Sequence, residues 1–393
     1  MNLQNIETKE SFQMGNLSTL EMGSRALLVS WTDGHASTFH YVWLRDNCPQ
    51  SRHPQTNHRI DETSAIALDI APQSAVITPE GNLQITWPDG HNSLFLANWL
   101  ATYDYSNGSR RKRRQSILWD GTFATSVPRM SYSKLHGDVE DRIKWLRSFC
   151  DYGLAILNEV PSIEGTVLEL GNQLGQIRTT HWGQVFDVKS MADANSLAYT
   201  SLPLMLHTDE AYRDPTPTVQ LQHFLVCETT GGDATLVDGF KVADDLRKMH
   251  PSKFALLAGT SLHFHFRDVE VEIENDGPII ELDTDGEIRY VRFSNHSAQP
   301  FLVPTDKMEA YYDAYTTFGA MRDDSRYRIQ LKMNAGDMYM VDNRRVMHGR
   351  TGFTEGGARH LQSCYIERDE LLGRLAVLEH SVAASAVVLY RTR

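Results

Sequence analysis

The chain has 393 residues, 41% of them hydrophobic and 22% charged, and a formal net charge of −12 at neutral pH. That length supports one large core and a smaller domain, and the acidic balance argues against nucleic acid as a partner, because phosphate binding needs a positive footprint. The four cysteines, Cys48, Cys150, Cys227 and Cys364, are widely spaced, the chain does not open on a basic and then apolar leader, and no apolar run reaches the ~18 residues of a membrane span; a reduced, cytoplasmic protein with no membrane partner is expected.

Residues 1–20 are polar and aperiodic and read as unstructured or loosely attached. Residues 21–105 read as a small β-rich domain: Trp31, Asp33, Gly34, His35 and Phe39, followed by Trp43 and Leu44, are echoed by Trp87, Asp89, Gly90, His91 and Phe95, followed by Trp99 and Leu100. Asp-Gly is a hairpin-turn dipeptide, so each copy predicts a hairpin, with the tryptophans as its core. Residues 106–125 hold a basic cluster, Arg110 to Arg114, read as a solvated linker in preference to a nucleic-acid or targeting patch.

Residues 126–393 make the larger domain. The spacing of Ile143, Leu146 and Phe149 predicts a helix over 138–151, ended by Gly153, and residues 153–158 then read as a buried strand. His207 and Asp209 come next, two positions apart, so on an extended strand both side chains reach one side and one metal. Further short strands are predicted over 219–226, 234–238, 262–266, 279–282, 288–293, 327–333 and 338–341, with turns at Asp285-Gly286 and Asn334-Ala335-Gly336 and helices over 242–249 and 305–321. This is a mainly β pattern with helical insertions. It predicts a double-sheet jelly roll, a fold whose mouth can hold a metal.

His348, on a distant strand, supplies the second imidazole of a two-histidine, one-carboxylate site for ferrous iron, which leaves three positions open for a co-substrate and O2. A His-x-Asp tripeptide alone is a weak motif, more often a polar strand end. Arg359, eleven positions after His348, strengthens it: 2-oxoglutarate chelates iron through its 2-oxo acid end and presents its other carboxylate to a guanidinium. Two other classes remain, a metal-dependent hydrolase and a non-catalytic binding module of the same fold. Neither needs Arg359 together with three open positions.

Stretches across residues 30–375 resemble the 2-oxoglutarate-dependent dioxygenases that include γ-butyrobetaine and trimethyllysine hydroxylases: Trp43 to Cys48, Asp193 to Tyr199, His207 to Asp209, Val219 to His223, Gly231 to Gly239, Asp342 to Arg350 and Arg359 to Leu361. The resemblance implies a double-stranded β-helix with a small N-terminal domain, iron on His207, Asp209 and His348, 2-oxoglutarate on Arg359, and a homodimer. It also implies an N-terminal zinc site of three cysteines and a histidine, from which this chain departs. Cys48 remains, Gln50 and His53 replace the other cysteines, and His91 matches the histidine; Cys48, His53 and His91 leave one vacancy for His58 or water, the alternative being a metal-free remnant.

By the same resemblance a trimethylammonium group is caged by Trp182, Phe186, Tyr199 and Tyr365, with Glu210 where the family has a further tyrosine, although Trp182 and Phe186 also read as core aromatics. The asparagines that grip a substrate carboxylate in γ-butyrobetaine hydroxylase match Ser196 and Ser294, and Arg292 falls two residues before Ser294, on the same strand face if the strand continues. Shorter hydroxyls enlarge an anion pocket. The substrate expected from this pattern is 2-(trimethylammonio)ethylphosphonate, with γ-butyrobetaine as the alternative.

Overall fold

The computed structural model describes residues 16–106, 116–189, 200–354 and 357–391, which form two compact units, Met1–Arg114 and Gln115–Arg393. The basic cluster Arg110 to Arg114 lies outside the described residues.

The first unit is a tandem repeat of three strands and a helix: β1 (Leu17–Met22), β2 (Ala26–Trp31), β3 (Ala36–His40) and α1 (Tyr41–Asp46), then β4 (Ser74–Ile77), β5 (Leu83–Thr86), β6 (Asn92–Phe95) and α2 (Ala97–Thr102). Leu27 pairs with Phe39 in the first copy and Leu83 with Phe95 in the second, and all four are buried in one core with Trp31 and Trp87. The order begins at Leu17, inside the stretch expected to be loose, because Leu17 and Leu20 pair with Trp31 and Val29 and pack on that core.

The two copies exchange their tails. In the first hairpin Trp31 Nε1 donates to Ser37 Oγ (2.7 Å), and Ser37 Oγ donates to Asp104 Oδ2 (2.7 Å), a residue that follows the second helix. In the second, Trp87 Nε1 donates to Ser93 Oγ (2.8 Å) and Ser93 Oγ to Cys48 Sγ (3.0 Å), a residue that follows the first helix. The backbone N–H of Thr38 is taken by Ser106 Oγ (2.5 Å), and that of Leu94 by Gln50 Oε1 (2.9 Å). Cys48 therefore occupies the repeat position of Asp104, and Gln50 that of Ser106.

This latch corrects the expected zinc set. His91 Nε2 does approach Cys48 Sγ (3.1 Å), but His53 is exposed and its Nδ1 accepts from Thr56 N (3.3 Å), His58 is exposed too, and among the described residues neither joins Cys48 and His91 in a group of metal-capable donors within reach of one another. Gln50 spends its side-chain oxygen on the Leu94 backbone. A structural zinc site needs four donors around one point, and these residues do not fit one.

In the second unit the elements are β7 (Arg129–Ser131), α3 (Tyr132–Leu135), α4 (Val139–Tyr152), β8 (Leu154–Asn158), α5 (Thr166–Leu174), β9 (Phe186–Lys189), β10 (Leu204–His207), β11 (Val219–Cys227) and β12 (Ala234–Asp238). There follow α6 (Gly239–Met249), α7 (Pro251–Gly259), β13 (Ser261–Arg267), β14 (Glu272–Pro278), β15 (Ile280–Leu282), β16 (Ile288–Val291) and α8 (Met308–Asp323). The chain closes with β17 (Arg328–Leu331), β18 (Met338–Asp342), β19 (Val346–Arg350), β20 (Arg359–Ile366) and α9 (Arg368–Arg391).

Two sheets, in the orders β7-β8-β18-β11-β20-β9 and β10-β19-β12-β17, make the expected double-stranded β-helix. Strand alternation sorts their side chains: on β18, Tyr339 and Val341 join Phe224, Leu236, Ile329 and Leu361 between the sheets. Met338 and Met340 turn outward, against Leu146 and Phe149 of α4, Leu170 of α5 and Leu371 of α9. Helices α6, α7 and α8 pack on β15 and β16 as a separate insertion, through Val242, Leu246, Leu257 and Phe318 against Ile280 and Val291.

Helix α4 starts where Asp138 accepts from Glu140 N (3.0 Å) and stops at Gly153, whose φ of 69° suits glycine. A Cβ at Gly153 would also lie 2.9 Å from Arg345 Cδ. Residues 116–125 of the expected linker belong to this unit. Trp119 and Phe123 are buried in its core, and Trp119 Nε1 donates to Tyr152 O (2.8 Å). Among the described residues no helix is long and apolar enough to cross a membrane.

Candidate metal centre and active site

Strand β10 pairs with β19 so that His207 and His348 stand directly opposite one another. The strand ends at His207, so Asp209 reaches the same point from a turn and not from a continued strand. Thr208 N donates to Phe293 O (2.8 Å), and the buried Asn343 clamps the Asp209 backbone, accepting from its N–H (2.7 Å) and donating Nδ2 to its carbonyl (3.0 Å). Glu210 then turns the chain through φ 51°.

Asp209 Oδ1 lies 3.1 Å from His207 Nε2 and 3.5 Å from His348 Nε2. Adjacent ligands around a metal with bonds of about 2.1 Å stand about 3 Å apart, so the three donors surround one ion. Among the described residues these three side chains form the one group of three or more metal-capable donors within reach of one another. The donor set fits ferrous iron with an open face. Gln220 Nε2 (2.6 Å) and the Tyr365 hydroxyl (2.8 Å) donate to Asp209 Oδ2, which leaves Oδ1 for a metal. His207 Nδ1 faces Met205 O (2.8 Å), which fixes Nε2 as the ligating nitrogen.

Burial alone would raise the Asp209 carboxyl, but His348, His207 and the Tyr365 hydroxyl hold it well below the usual carboxylate range. Burial brings His348 down to about 4, against the pull of Asp209. Both ligands are thus in the metal-binding protonation state at neutral pH.

The triad opens on a cavity of about 490 Å³. One end carries two guanidiniums, Arg350 and Arg359, with the Phe353 ring 5.3 and 5.5 Å from their Cζ atoms. Burial and the neighbouring Arg359 bring Arg350 down to about 10, and burial lowers Arg359 as well. Two like charges facing one cavity favour an anion between them. Tyr339, whose hydroxyl burial keeps protonated, lines the same end and donates to Gln222 Oε1.

Trp182, Phe186 and Tyr365 also line the cavity, with the Phe186 and Tyr365 rings 5.4 Å apart. Glu210 joins them, ion-paired to Arg213 Nε (2.6 Å); burial pushes its carboxyl up to about 7 against the pull of Arg213. Tyr199 and Ser196 lie outside the described residues. Ser294 and Arg292 do not line the cavity. Strand β16 ends at Val291, so the two do not share a strand face. Arg292 packs its guanidinium over Tyr290 (4.7 Å) and beside Gly277, where a Cβ would collide with Nη1, and Ser294 Oγ is turned to His296 Nε2 (3.2 Å). Sequence reasoning missed Gln220, Asn343, Arg350 and His296. Gln220, Asn343 and Arg350 do fall inside segments with family resemblance, which is the available signal; His296 does not.

The Taurine catabolism dioxygenase TauD, TfdA family model matches residues 119–365, and the Gamma-butyrobetaine hydroxylase-like, N-terminal model residues 18–101. Gamma-butyrobetaine dioxygenase of Pseudomonas sp. (strain AK-1) is 36% identical over 89% of this chain and 93% of its own length. The Homo sapiens enzyme of the same name is 31% identical over 92% of this chain and 96% of its own length. The mitochondrial trimethyllysine dioxygenase of Homo sapiens is 30% identical over 86% of this chain and 82% of its own. The chain therefore belongs to the TauD, TfdA family, alongside the γ-butyrobetaine and trimethyllysine dioxygenases, and is an iron- and 2-oxoglutarate-dependent dioxygenase.

Proposed function

We propose that the protein hydroxylates a small trimethylammonium acid, with γ-butyrobetaine as the substrate. The observation that carries this reading is one cavity in which the triad of His207, Asp209 and His348 faces the aromatic residues Trp182, Phe186 and Tyr365, with Glu210, already ion-paired to Arg213, beside them. A quaternary ammonium cannot donate hydrogen bonds and is held by ring faces. The relatives named above support the same substrate class. The phosphonate expectation loses one of its two serines, since Ser294 is engaged by His296 and Ser297 rather than presented to the cavity.

Iron bound here, with 2-oxoglutarate and O2, supplies the oxidising power that converts C–H to C–OH while 2-oxoglutarate leaves as succinate and CO2. The chain's own part is orientation. Gln220 and Tyr365 hold the outer oxygen of Asp209, Arg359 and Arg350 take the distal carboxylate of 2-oxoglutarate, and the rings fix the cation so that one carbon faces the metal.

The test is competition between γ-butyrobetaine and 2-(trimethylammonio)ethylphosphonate, scored by the product heavier by one oxygen atom and by succinate release, as the ratio of kcat/KM values. Preference for the phosphonate overturns the proposal; turnover without succinate would point to a hydrolase instead. Arg359→Ala is expected to raise the KM for 2-oxoglutarate at least about thirty-fold, the lower end for truncating a buried charge partner, with far less change for the trimethylammonium substrate. A change confined to the latter would move Arg359 to the other pocket.

A further inference from the structure

Two imidazoles on the cavity wall have no part in the metal centre, His265 and His296, and His265 is engaged through Nε2 by Glu272 Oε1 (2.9 Å). His296 lines the cavity, and its ring stands edge to face with His207 at 4.9 Å and 75°. It lies in a tight turn after Phe293, where Ser297 N and Ala298 N both donate to Ser294 O (3.2 and 3.1 Å). The turn is fixed to the metal strand, because Phe293 N donates to Thr208 Oγ1 (3.0 Å) and Phe293 O accepts from Thr208 N (2.8 Å).

Ser297 Oγ donates to Ser294 Oγ (2.8 Å), and Ser294 Oγ is 3.2 Å from His296 Nε2. A hydroxyl that accepts one proton has its own to give, and Nε2 is the acceptor within reach. An imidazole that accepts at Nε2 carries its hydrogen on Nδ1. In that arrangement, with Ser297 Oγ also within 3.4 Å of Ser294 O, the serine pair leaves His296 its Nδ1–H to donate.

The two sides of the triad differ in character. Tyr365 and the aromatic wall border the outer oxygen of Asp209, whereas His296 borders His207. Arg350 and Arg359 lie together beside Phe353 at the end proposed for 2-oxoglutarate, and Arg350 Nη2 also donates to Thr200 O and Leu202 O (3.3 Å). Arg267, exposed like His296, also lines the cavity, but next to Phe266, whose ring is 5.5 Å from Trp182, on the side of the cation.

We propose that His296 takes the anionic end of the substrate, with Ser294 and Ser297 as the residues that set its tautomer. This rests on the trimethylammonium-acid reading above. It assigns the specificity for an acid to a histidine beside the metal centre, so that a substrate held between His296 and the rings lies across the open face of the triad.

The experiment compares γ-butyrobetaine with the trimethylammonium alcohol of the same chain length, as a kcat/KM ratio, in wild type, His296→Leu, His296→Asn, Ser294→Ala and Arg267→Ala. His296→Leu is expected to lose about ten- to hundred-fold of the preference for the acid, the range for one hydrogen bond to a charged group, through KM, with iron content and the KM for 2-oxoglutarate unchanged. His296→Asn, which restores a donor near the Nδ1 position, is expected to recover most of it, and Ser294→Ala to fall between. An unchanged ratio in His296→Leu overturns the assignment, as does loss of the ratio in Arg267→Ala alone. Loss of iron from His296→Leu makes the residue a support for His207 and also overturns it. A wild type that turns over neither compound refutes the underlying substrate reading, and this assignment with it.

Discussion

Asp209→Ala is expected to take hydroxylation below detection while the protein still folds. Asp209 is the single anionic donor of the triad, and its Oδ1 is the atom both imidazoles face, at 3.1 and 3.5 Å. Removing it leaves two neutral nitrogens, too weak a set to retain ferrous iron. The structural cost is small, because the backbone clamp from Asn343 uses only the main chain of residue 209. Gln220 and Tyr365 lose their acceptor, at about 1–3 kcal/mol, offset by relief from burying a carboxylate. Iron retained after desalting, succinate release and a thermal melt measure the three parts of this expectation. Asp209→Asn keeps the shape and loses the charge, so failure of both variants to hold iron assigns the effect to the anion. Wild-type turnover in Asp209→Ala would sink the metal centre.

The largest stability effect is expected at Arg345, far from any substrate. Its guanidinium is 2% exposed and donates Nε to Asp238 Oδ1 (3.0 Å), Nη2 to Asp238 Oδ2 (2.7 Å) and to Ile117 O (2.6 Å), and Nη1 to Asp151 O (2.8 Å). Asp238 is fully buried, and it also accepts from Trp119 N and caps α6 through Phe240 N, both at 3.1 Å. Breaking a buried pair costs about 3–5 kcal/mol, because the remaining charge has no partner. Arg345→Ala should therefore lower the Tm by on the order of 10 °C. Arg345→Lys should recover little despite keeping the charge, because one ammonium cannot serve acceptors spread over three segments. A Lys variant as stable as wild type would show that charge alone, without the fork of donors, holds these segments together.

The sequence made the metal ligands legible because iron chemistry restricts residue type: His207, Asp209 and His348 stand out before any fold is known. The residues that hold them are a different matter. Gln220 and Tyr365 meet at Asp209 because they are register partners on β11 and β20, and register between strands so far apart in the chain is not written in either strand alone. The anion-pocket reading of Arg292 and Ser294 assumed an unbroken strand. The chain instead turns after β16, which sends Arg292 against Tyr290 and brings His296 to the wall. Periodicity gave α4 and most strands within a residue or two, while β14 was hidden by its charged face, which is set by pairing with His263 and His265.

The exchanged tails of the first unit make its two copies inseparable. Ser37 is completed by Asp104, and Ser93 by Cys48, so the hairpin of each copy is finished by the chain that leaves the other. This is the geometry of domain swapping, carried out within one polypeptide instead of between two. A truncation before Asp104 would spare every residue of the first hairpin yet strip the acceptor from its serine and the partner from the Thr38 N–H. The damage would surface at the end of the unit that the cut never touched.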